Sequence, residues 1–150
     1  MELGFEALIN FPKKNMRGIL ILACLCSSGF LPLMAQGRKN LNEIAFNPTG
    51  PGIQNHRLFD DSLSSSFLIY VRDSVSEHLH QAHAEQVFIL EGEGQMTMDG
   101  KTFAVSAGDI IYIPKGTKHL VRVMSKSPLK LISVQAPYFD GKDRVFRGDY

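Results

Sequence analysis

The sequence predicts an all-β domain, folded as an antiparallel sandwich or barrel. Short runs of apolar or alternating residues recur along the second half of the chain, and turn residues separate them. No long window shows the 3.6-residue period of an amphipathic helix. The runs are also evenly spaced, which is typical of small β-sandwiches and β-barrels.

Each predicted strand ends at a recognisable turn signal. The Asp99-Gly100 pair is a strong two-residue hairpin signal, and Pro114 ends the run before it because proline cannot donate to a sheet ladder. The predicted strands are, in order, SSFLIYVRD, QVFILE, QMTM, KTFAV, DIIYI, HLVRVM and LKLISV.

Several of these strands are apolar on both faces. In QVFILE, Val87 and Ile89 share a face with Glu85, while Phe88 and Leu90 point the other way and are also apolar. A strand with one wet face would alternate polar and apolar residues. We therefore expect one face to line the barrel interior and the other to pack on a second sheet or on a partner subunit, so a homodimer is predicted.

The start of the chain has the pattern of a secretory signal peptide. Lys13, Lys14 and Arg17 precede the apolar run GILILACLCSSGFLPLMA. A basic start, an apolar middle and a small residue before the cut predict a signal over residues 1–36, cleaved near Ala35. The run is too broken for a stable membrane span, and a buried N-terminal helix is the alternative. The mature protein is expected to be secreted or periplasmic.

Both cysteines lie inside this predicted signal, so no disulfide framework is expected in the mature chain. The letters ILAC weakly resemble a lipoprotein box, which makes lipid attachment at Cys24 an alternative. Met16 is an alternative start to Met1, since MRGILIL would be a compact signal opening.

The remaining chain divides into a polar leader over residues 37–54 and a barrel with a C-terminal tail over residues 55–150. The whole chain has 16 basic and 15 acidic residues. Removal of residues 1–36 takes away three basic and two acidic residues, which leaves thirteen of each sign. No basic stripe remains, so nucleic acid is not expected as a partner.

The stretch HLHQAHAEQVFILEGEG, residues 78–94, contains candidate metal ligands. On a strand, His78 and His80 point to the same side, roughly 6.7 Å apart along the chain. Glu85 enters the next strand and can turn its carboxylate to the same point. Much later, GDIIYIPKGTKH ends on His119, which the turn at Gly116 swings onto a further strand.

These two stretches resemble the two motifs of the cupin superfamily. The first motif is matched by His78, His80, Glu85 and Gly92. The second motif is matched by Gly108, Pro114, Gly116 and His119. The similarity covers roughly residues 55–135. Arg72 and Val123 depart from it, where the family often has glycine and asparagine; neither position is a metal ligand in the family.

The resemblance implies a jelly-roll β-barrel and a metal held by His78, His80, Glu85 and His119. Nitrogen and oxygen ligands suit one divalent transition metal, which could be Fe, Mn, Ni, Cu or Zn. About two open positions would remain on an octahedral ion for water, oxygen or a small-molecule substrate.

Two functions follow from such a site, and a third is less favoured. The first is a metal-dependent enzyme, with an oxidoreductase of the dioxygenase kind preferred over an isomerase. The alternative is a non-catalytic periplasmic barrel that binds a small ligand or a sugar. A purely structural metal ranks last, since structural zinc sites are usually closed and rich in sulfur.

Weaker candidates for substrate contact are Tyr112, Gln95 and His83. Core packing is the preferred interpretation of Tyr112. Either Gln95 or its neighbour Met96 is expected to line the cavity. His83 is expected to be exposed to solvent. The tail APYFDGKDRVFRGDY has apolar anchors and is expected to cross the barrel mouth or to reach a neighbouring subunit.

Overall fold

A computed structural model describes residues 37–148, so the predicted signal peptide and Cys24 lie outside the described residues. The described chain forms ten strands and one short 3₁₀ turn, Leu41–Glu43. The strands are β1 (Ile53–Asp60), β2 (Ser65–Val71), β3 (Ser74–His80), β4 (Ala84–Glu91), β5 (Glu93–Met98), β6 (Lys101–Ser106), β7 (Ile110–Ile113), β8 (His119–Val123), β9 (Leu129–Ala136) and β10 (Arg144–Phe146). Within residues 37–148, no helix has the length and apolar character needed to cross a membrane.

The strands build two antiparallel sheets of five strands each. One sheet has the order β1-β2-β9-β4-β7, and the other has the order β10-β3-β8-β5-β6. The main core lies between them, because its buried side chains come from both. Val71, Val87 and Leu129 belong to the first sheet, and Met96 and Val121 belong to the second. The all-β prediction is confirmed.

The predicted turn chemistry is also confirmed. Asp99 and Gly100 take positive φ angles of 44° and 80° between β5 and β6, as a tight hairpin of this kind requires. Glycine has no Cβ penalty in this conformation, and aspartate tolerates it better than most residues.

A second, smaller apolar cluster lies on the outer face of the first sheet. Leu68 and Tyr70 are buried there, and the partly buried Ile44 and Phe46 pack against the cluster. The Tyr70 hydroxyl donates a hydrogen bond of 2.6 Å to the Ile44 carbonyl. The polar-looking segment before β1 therefore supplies apolar cover to one face of the barrel.

Strand β3 contains an irregularity that decides which residues face inward. Its pairing with β8 shifts between Val75 and His78, so the alternation of side chains is reset at that point. An extra residue in one strand of a pair has this effect. Val75, His78 and His80 consequently all line the interior, although their numbers differ in parity.

The outer face of β7 carries exposed apolar side chains. Ile110 is 61% exposed and Tyr112 is 59% exposed. The expectation that Tyr112 packs in the core is wrong, because Ile111 and Ile113 take the inward positions of this strand. The homodimer that this face suggests stays a prediction.

Candidate metal centre

Three histidines meet at one wall of the interior. His78 and His119 are directly opposite each other on β3 and β8, and their ring centroids are 4.2 Å apart. His80 follows on β3, with its ring 5.7 Å from that of His119. Each histidine offers one ring nitrogen, and these nitrogens all lie within 4.8 Å of one another, so the three residues could hold a metal ion.

Backbone carbonyls orient two of the three rings. The Nδ1 atom of His78 is 2.8 Å from the Ser76 carbonyl, and that of His119 is 3.0 Å from the Thr117 carbonyl. A carbonyl can only accept, so Nδ1 of each ring carries the proton and donates it. The lone pair then resides on Nε2, which is the arrangement that a metal-binding histidine needs.

Glu85 brings a carboxylate to the same place from β4. Its Oε2 atom is 3.5 Å from Nε2 of His119 and 3.6 Å from Nε2 of His80. Two ligand atoms that are each about 2.1 Å from one ion lie roughly 3.0 to 3.4 Å apart at octahedral or tetrahedral angles. The observed spacings fit this requirement after small adjustments.

The buried hydroxyl of Ser133 fixes the other oxygen of this carboxylate. Ser133 lies on β9 and donates a hydrogen bond to Oε1 of Glu85. Oε2 is thereby left on the side of the histidines. A hydrogen bond of this kind orients a metal-binding carboxylate.

The protonation states also suit a metal ion. Burial, followed by the charge of His119, lowers the pKa of His78 to about 4. Burial outweighs the attraction of Glu85 and lowers the pKa of His80 to about 4 as well. For Glu85, burial acts upward, but the adjacent His119 ring and the hydrogen bond from Ser133 prevail and lower its pKa to about 2. At neutral pH, these residues present two neutral imidazoles and an ionised carboxylate, which are the forms that ligate metals.

The ring of His80 is left without hydrogen-bond partners. Both of its nitrogens are buried, and neither contacts a donor or acceptor within hydrogen-bond range. A buried polar atom without a partner costs roughly 1 to 3 kcal/mol. An ion bound at Nε2 would satisfy one of the two atoms, so the residues present fit a metal.

The histidines and Glu85 open onto a largely apolar cavity of about 140 Å³. Side chains from both sheets line it, including Val71, Ile89, Met96, Val121 and Leu131. Gln135 and Arg144 are two of its few polar residues apart from the candidate ligands. Neither residue could be recognised from the sequence, because each lies far from both motifs along the chain.

The C-terminal tail closes the barrel beside the histidines. Strand β10 pairs with β3, so that Arg144 is opposite His80 and Phe146 is opposite His78. Phe139 is 3% exposed and packs edge-on against His80 at 5.3 Å. Of the two predicted positions for the tail, the structure shows packing across the barrel.

His83 and Asp143 fasten the tail to the turn between β3 and β4. Asp143 accepts hydrogen bonds from the backbone amides of Gln81, Ala82 and His83, and it also pairs with the His83 ring. The other ring nitrogen of His83 is 2.9 Å from the Tyr138 carbonyl. His83 is only 7% exposed, so the expected solvent exposure is wrong. Its side chain does not line the cavity.

Replacing Asp143 with asparagine is expected to loosen the tail. Asparagine keeps the shape but loses the charge and one acceptor oxygen, and hydrogen bonds to charged groups contribute about 2 kcal/mol each. Backbone amides of 81–83 and of β10 should then exchange with deuterium faster. Asp140→Asn is the matched control, because Asp140 is half exposed and bonds only within its own turn, to Lys142. Equal protection in the two variants would contradict this role for Asp143.

The remaining weak candidates lie outside the cavity. Gln95 is exposed on β5, and its neighbour Met96 is buried and lines the cavity. One of this pair was expected to do so, and Met96 is the one. Tyr112 is absent from the cavity lining as well, since it lies on the outer face of β7.

The fold and the histidine group define a class of small β-barrels in which buried histidines could hold a metal ion. Residues 67–135 match the family model described as a cupin domain. This part of the chain therefore belongs to the cupin superfamily, as its two motifs predicted.

Several known proteins are similar to this chain in sequence or in structure. An uncharacterized protein of Aquifex aeolicus is 33% identical over 81 residues, which are 54% of this chain and 66% of that protein, so the match leaves about a third of that relative uncovered. A solved structure from Thermus thermophilus has 25% identity and a TM-score of 0.61. The match covers 68% of this chain and 98% of that chain. A Klebsiella pneumoniae protein with a double-stranded β-helix domain has 17% identity and a TM-score of 0.63. The match covers 74% of this chain and 96% of that chain, and at this identity it shows similarity of fold alone.

Proposed function

We propose that this protein is an exported, metal-dependent enzyme that acts on a small molecule, with chemistry of the dioxygenase kind. One observation carries the proposal. The ring nitrogens of His78, His80 and His119 lie close enough together to hold a metal ion, and the Glu85 carboxylate lies beside His80 and His119 at the wall of a cavity of about 140 Å³. Ligands that open onto a cavity, instead of being sealed in the core, suit a metal that meets a substrate.

In this proposal, the four residues hold one divalent transition metal. Ligation by nitrogen and oxygen is compatible with Fe, Mn, Ni, Cu or Zn. The bound ion would supply Lewis acidity or activate oxygen toward a substrate in the cavity. The protein itself orients the ligands through Ser76, Thr117 and Ser133, and its apolar walls exclude water from the substrate.

The polar lining favours oxygen chemistry over isomerisation. Among the described residues, the polar side chains of the cavity apart from the candidate ligands are Asn55, Gln135 and Arg144. None of these is a base near neutral pH. An isomerase has to move a proton between substrate atoms with a positioned base, whereas a dioxygenase adds both atoms of one O₂ to its substrate and needs no separate reductant.

The composition of the cavity lining is also compatible with a second function. A cavity without an independent acid or base is also what a non-catalytic binding barrel would have. In that case the protein would be an exported binder of a small ligand or a sugar, and the metal would form part of the binding surface.

Metal analysis and oxygen uptake test the proposal. The full chain is produced in a host that exports proteins, and its metal content is measured after isolation. We expect one metal per chain, and oxygen consumption with some member of a panel of small phenols, thiols and keto acids. A chelator should abolish the uptake, and added metal should restore it. Tight binding of a ligand without turnover would favour the binding barrel, and absence of metal would refute both forms of the proposal.

The export part of the proposal rests on the sequence of residues 1–36 and is tested on the same preparation. N-terminal sequencing should find the mature chain starting at Gln36 or Gly37. A chain that still begins at Met1 or Met16 in the exporting host would contradict export.

A further inference from the structure

The cavity contains a cation that the metal site does not use. Arg144 on β10 lines the cavity and is opposite His80 in the pairing of β10 with β3. Residues directly opposite each other on neighbouring strands have side chains on the same face of the sheet. Arg144 is exposed as a residue, but its side chain therefore leaves the strand on the side of the histidine cluster and lines the edge of the cavity.

Nothing in residues 37–148 neutralises this guanidinium. No carboxylate of that region forms an ion pair with it, and it lies over the Phe139 ring, whose centroid is 6.0 Å away. The adjacent Asp143 is engaged by His83 and by the backbone amides of the β3–β4 turn. Arg144 is also the one cationic side chain among the residues that line the cavity in the described part of the chain.

A second polar group of the lining is unpartnered and deeply buried. Gln135 on β9 is 2% exposed, and its Oε1 atom makes no hydrogen bond. It is directly opposite Glu85 in the pairing of β9 with β4, so it lies beside the candidate metal ligands. A buried acceptor of this kind is satisfied by a donor from water or from a ligand.

The charges favour an anion in this cavity. Glu85 supplies one negative charge and Arg144 one positive charge, while the histidines that ligate a metal are neutral. A divalent ion would thus leave an excess of positive charge around a largely apolar cavity, and charge interactions next to such walls are stronger than in bulk water.

From these observations we infer that the substrate or ligand is a small, mainly apolar monocarboxylate that also carries an O–H or N–H donor. Its carboxylate pairs with the guanidinium of Arg144, and its donor reaches Oε1 of Gln135. A guanidinium matches a carboxylate in a two-point contact. A phosphate usually takes several donors, such as a row of backbone amides at a helix N-terminus, and the described lining offers one cation. This inference rests on the proposed function, because it concerns the same cavity.

Binding measurements with four matched probes test the inference. The probes are 2-hydroxy-3-methylbutanoate, its amide, 3-methylbutanoate, which lacks the hydroxyl, and inorganic phosphate. Calorimetry is carried out on the full chain, once metal-free and once loaded with metal. The acid is expected to bind about 10- to 100-fold more tightly than its amide, as charge-assisted hydrogen bonds allow. Removal of the hydroxyl is expected to weaken binding about 5- to 10-fold.

Three variants assign these preferences to residues. Arg144→Gln should remove the preference for acid over amide, and Gln135→Met should remove the preference for the hydroxyl compound. Arg147→Gln is the matched control, since Arg147 lies on the same tail, is exposed and does not line the cavity. It should bind all four probes as the unaltered protein does.

The outcomes separate this inference from the proposed function. A protein that takes up metal but binds acid and amide equally, binds none of the probes, or binds phosphate more tightly than the acid overturns the inference alone. Retention of the acid preference in Arg144→Gln overturns it too. A protein that takes up no metal refutes the proposed function, whereas a preference for the acid that Arg144→Gln removes still supports the role of Arg144.

Discussion

Replacing His80 with alanine is expected to lower the affinity of the protein for a divalent transition metal by about 100-fold or more. Loss of a residue that merely orients a metal ligand typically costs roughly 10- to 100-fold, and His80 is expected to contact the ion itself. Its Nε2 atom is 3.6 Å from the carboxylate of Glu85, and its buried ring has no hydrogen-bond partner that could take the place of an ion.

The measurement is a competition titration with a chromophoric chelator, combined with elemental analysis of the isolated variant. His56→Ala is the matched control, because His56 is a half-buried histidine that packs edge-on against Tyr70, away from the cavity. It should retain the full metal content. Circular dichroism of the metal-free variants confirms that both are folded. An unchanged amount of bound metal in His80→Ala would refute the assignment of this residue.

The sequence contained enough information to predict the candidate ligands. His78 and His80 are two residues apart on a strand, and Glu85 enters the next strand, so their convergence follows from local geometry. His119 follows a turn formed around Pro114 and Gly116, and its placement opposite His78 required the resemblance to a known pattern. Short motifs with fixed spacing can be recognised because neighbouring residues determine their geometry.

The rest of the cavity could not be predicted in this way. Gln135 and Arg144 come close to the ligands only through the pairing of β9 with β4 and of β10 with β3. Such long-range neighbours have no signature in local sequence. The pairing of His83 with Asp143 is of the same kind, since 60 positions separate the two residues. Strand β10, Arg144–Phe146, is also too short to give an alternating pattern.

Tyr112 illustrates a different limit. The run DIIYI is apolar at every position after Asp109, so its composition does not reveal which face is inward. The structure buries Ile111 and Ile113 and leaves Ile110 and Tyr112 exposed. When a strand is apolar on both faces, its sequence indicates that both faces are covered. It does not identify the element or partner that covers each face.

The second large effect concerns pH and the metal-free protein. We expect its free energy of unfolding to fall by several kcal/mol as the pH is lowered from about 7 to about 4. Burial holds the pKa values of His78 and His80 at about 4, compared with 6.5 in the unfolded chain. Below pH 6.5 the unfolded chain takes up protons that the folded chain excludes, so each histidine destabilises the fold by up to about 1.4 kcal/mol per pH unit until its folded pKa is reached.

His83 and Glu85 also affect the free energy of unfolding, the first in the opposite direction and the second in a lower pH range. Despite burial, pairing with Asp143 raises the pKa of His83, so its contribution to stability is present at low pH and is lost as the pH rises through its folded pKa. This contribution opposes the destabilisation by the two buried histidines, but it comes from one group against two. Glu85, with its pKa lowered to about 2, stabilises the fold above pH 4.5 and loses this contribution only as the pH falls further toward 2. The net change between pH 7 and pH 4 is therefore destabilising.

Urea unfolding at pH 7.0, 5.5 and 4.5 in the presence of a chelator measures the effect. His80→Gln is the matched variant, since it removes one of the two buried titrating rings and leaves His78 in place. Its stability should depend less steeply on pH, by about one proton between pH 6 and pH 5. If the unaltered protein were equally stable at pH 7.0 and pH 4.5, or if His80→Gln showed the same slope, the two histidines would not be held neutral by burial. The protonation states assigned to the candidate metal centre would then have to be abandoned.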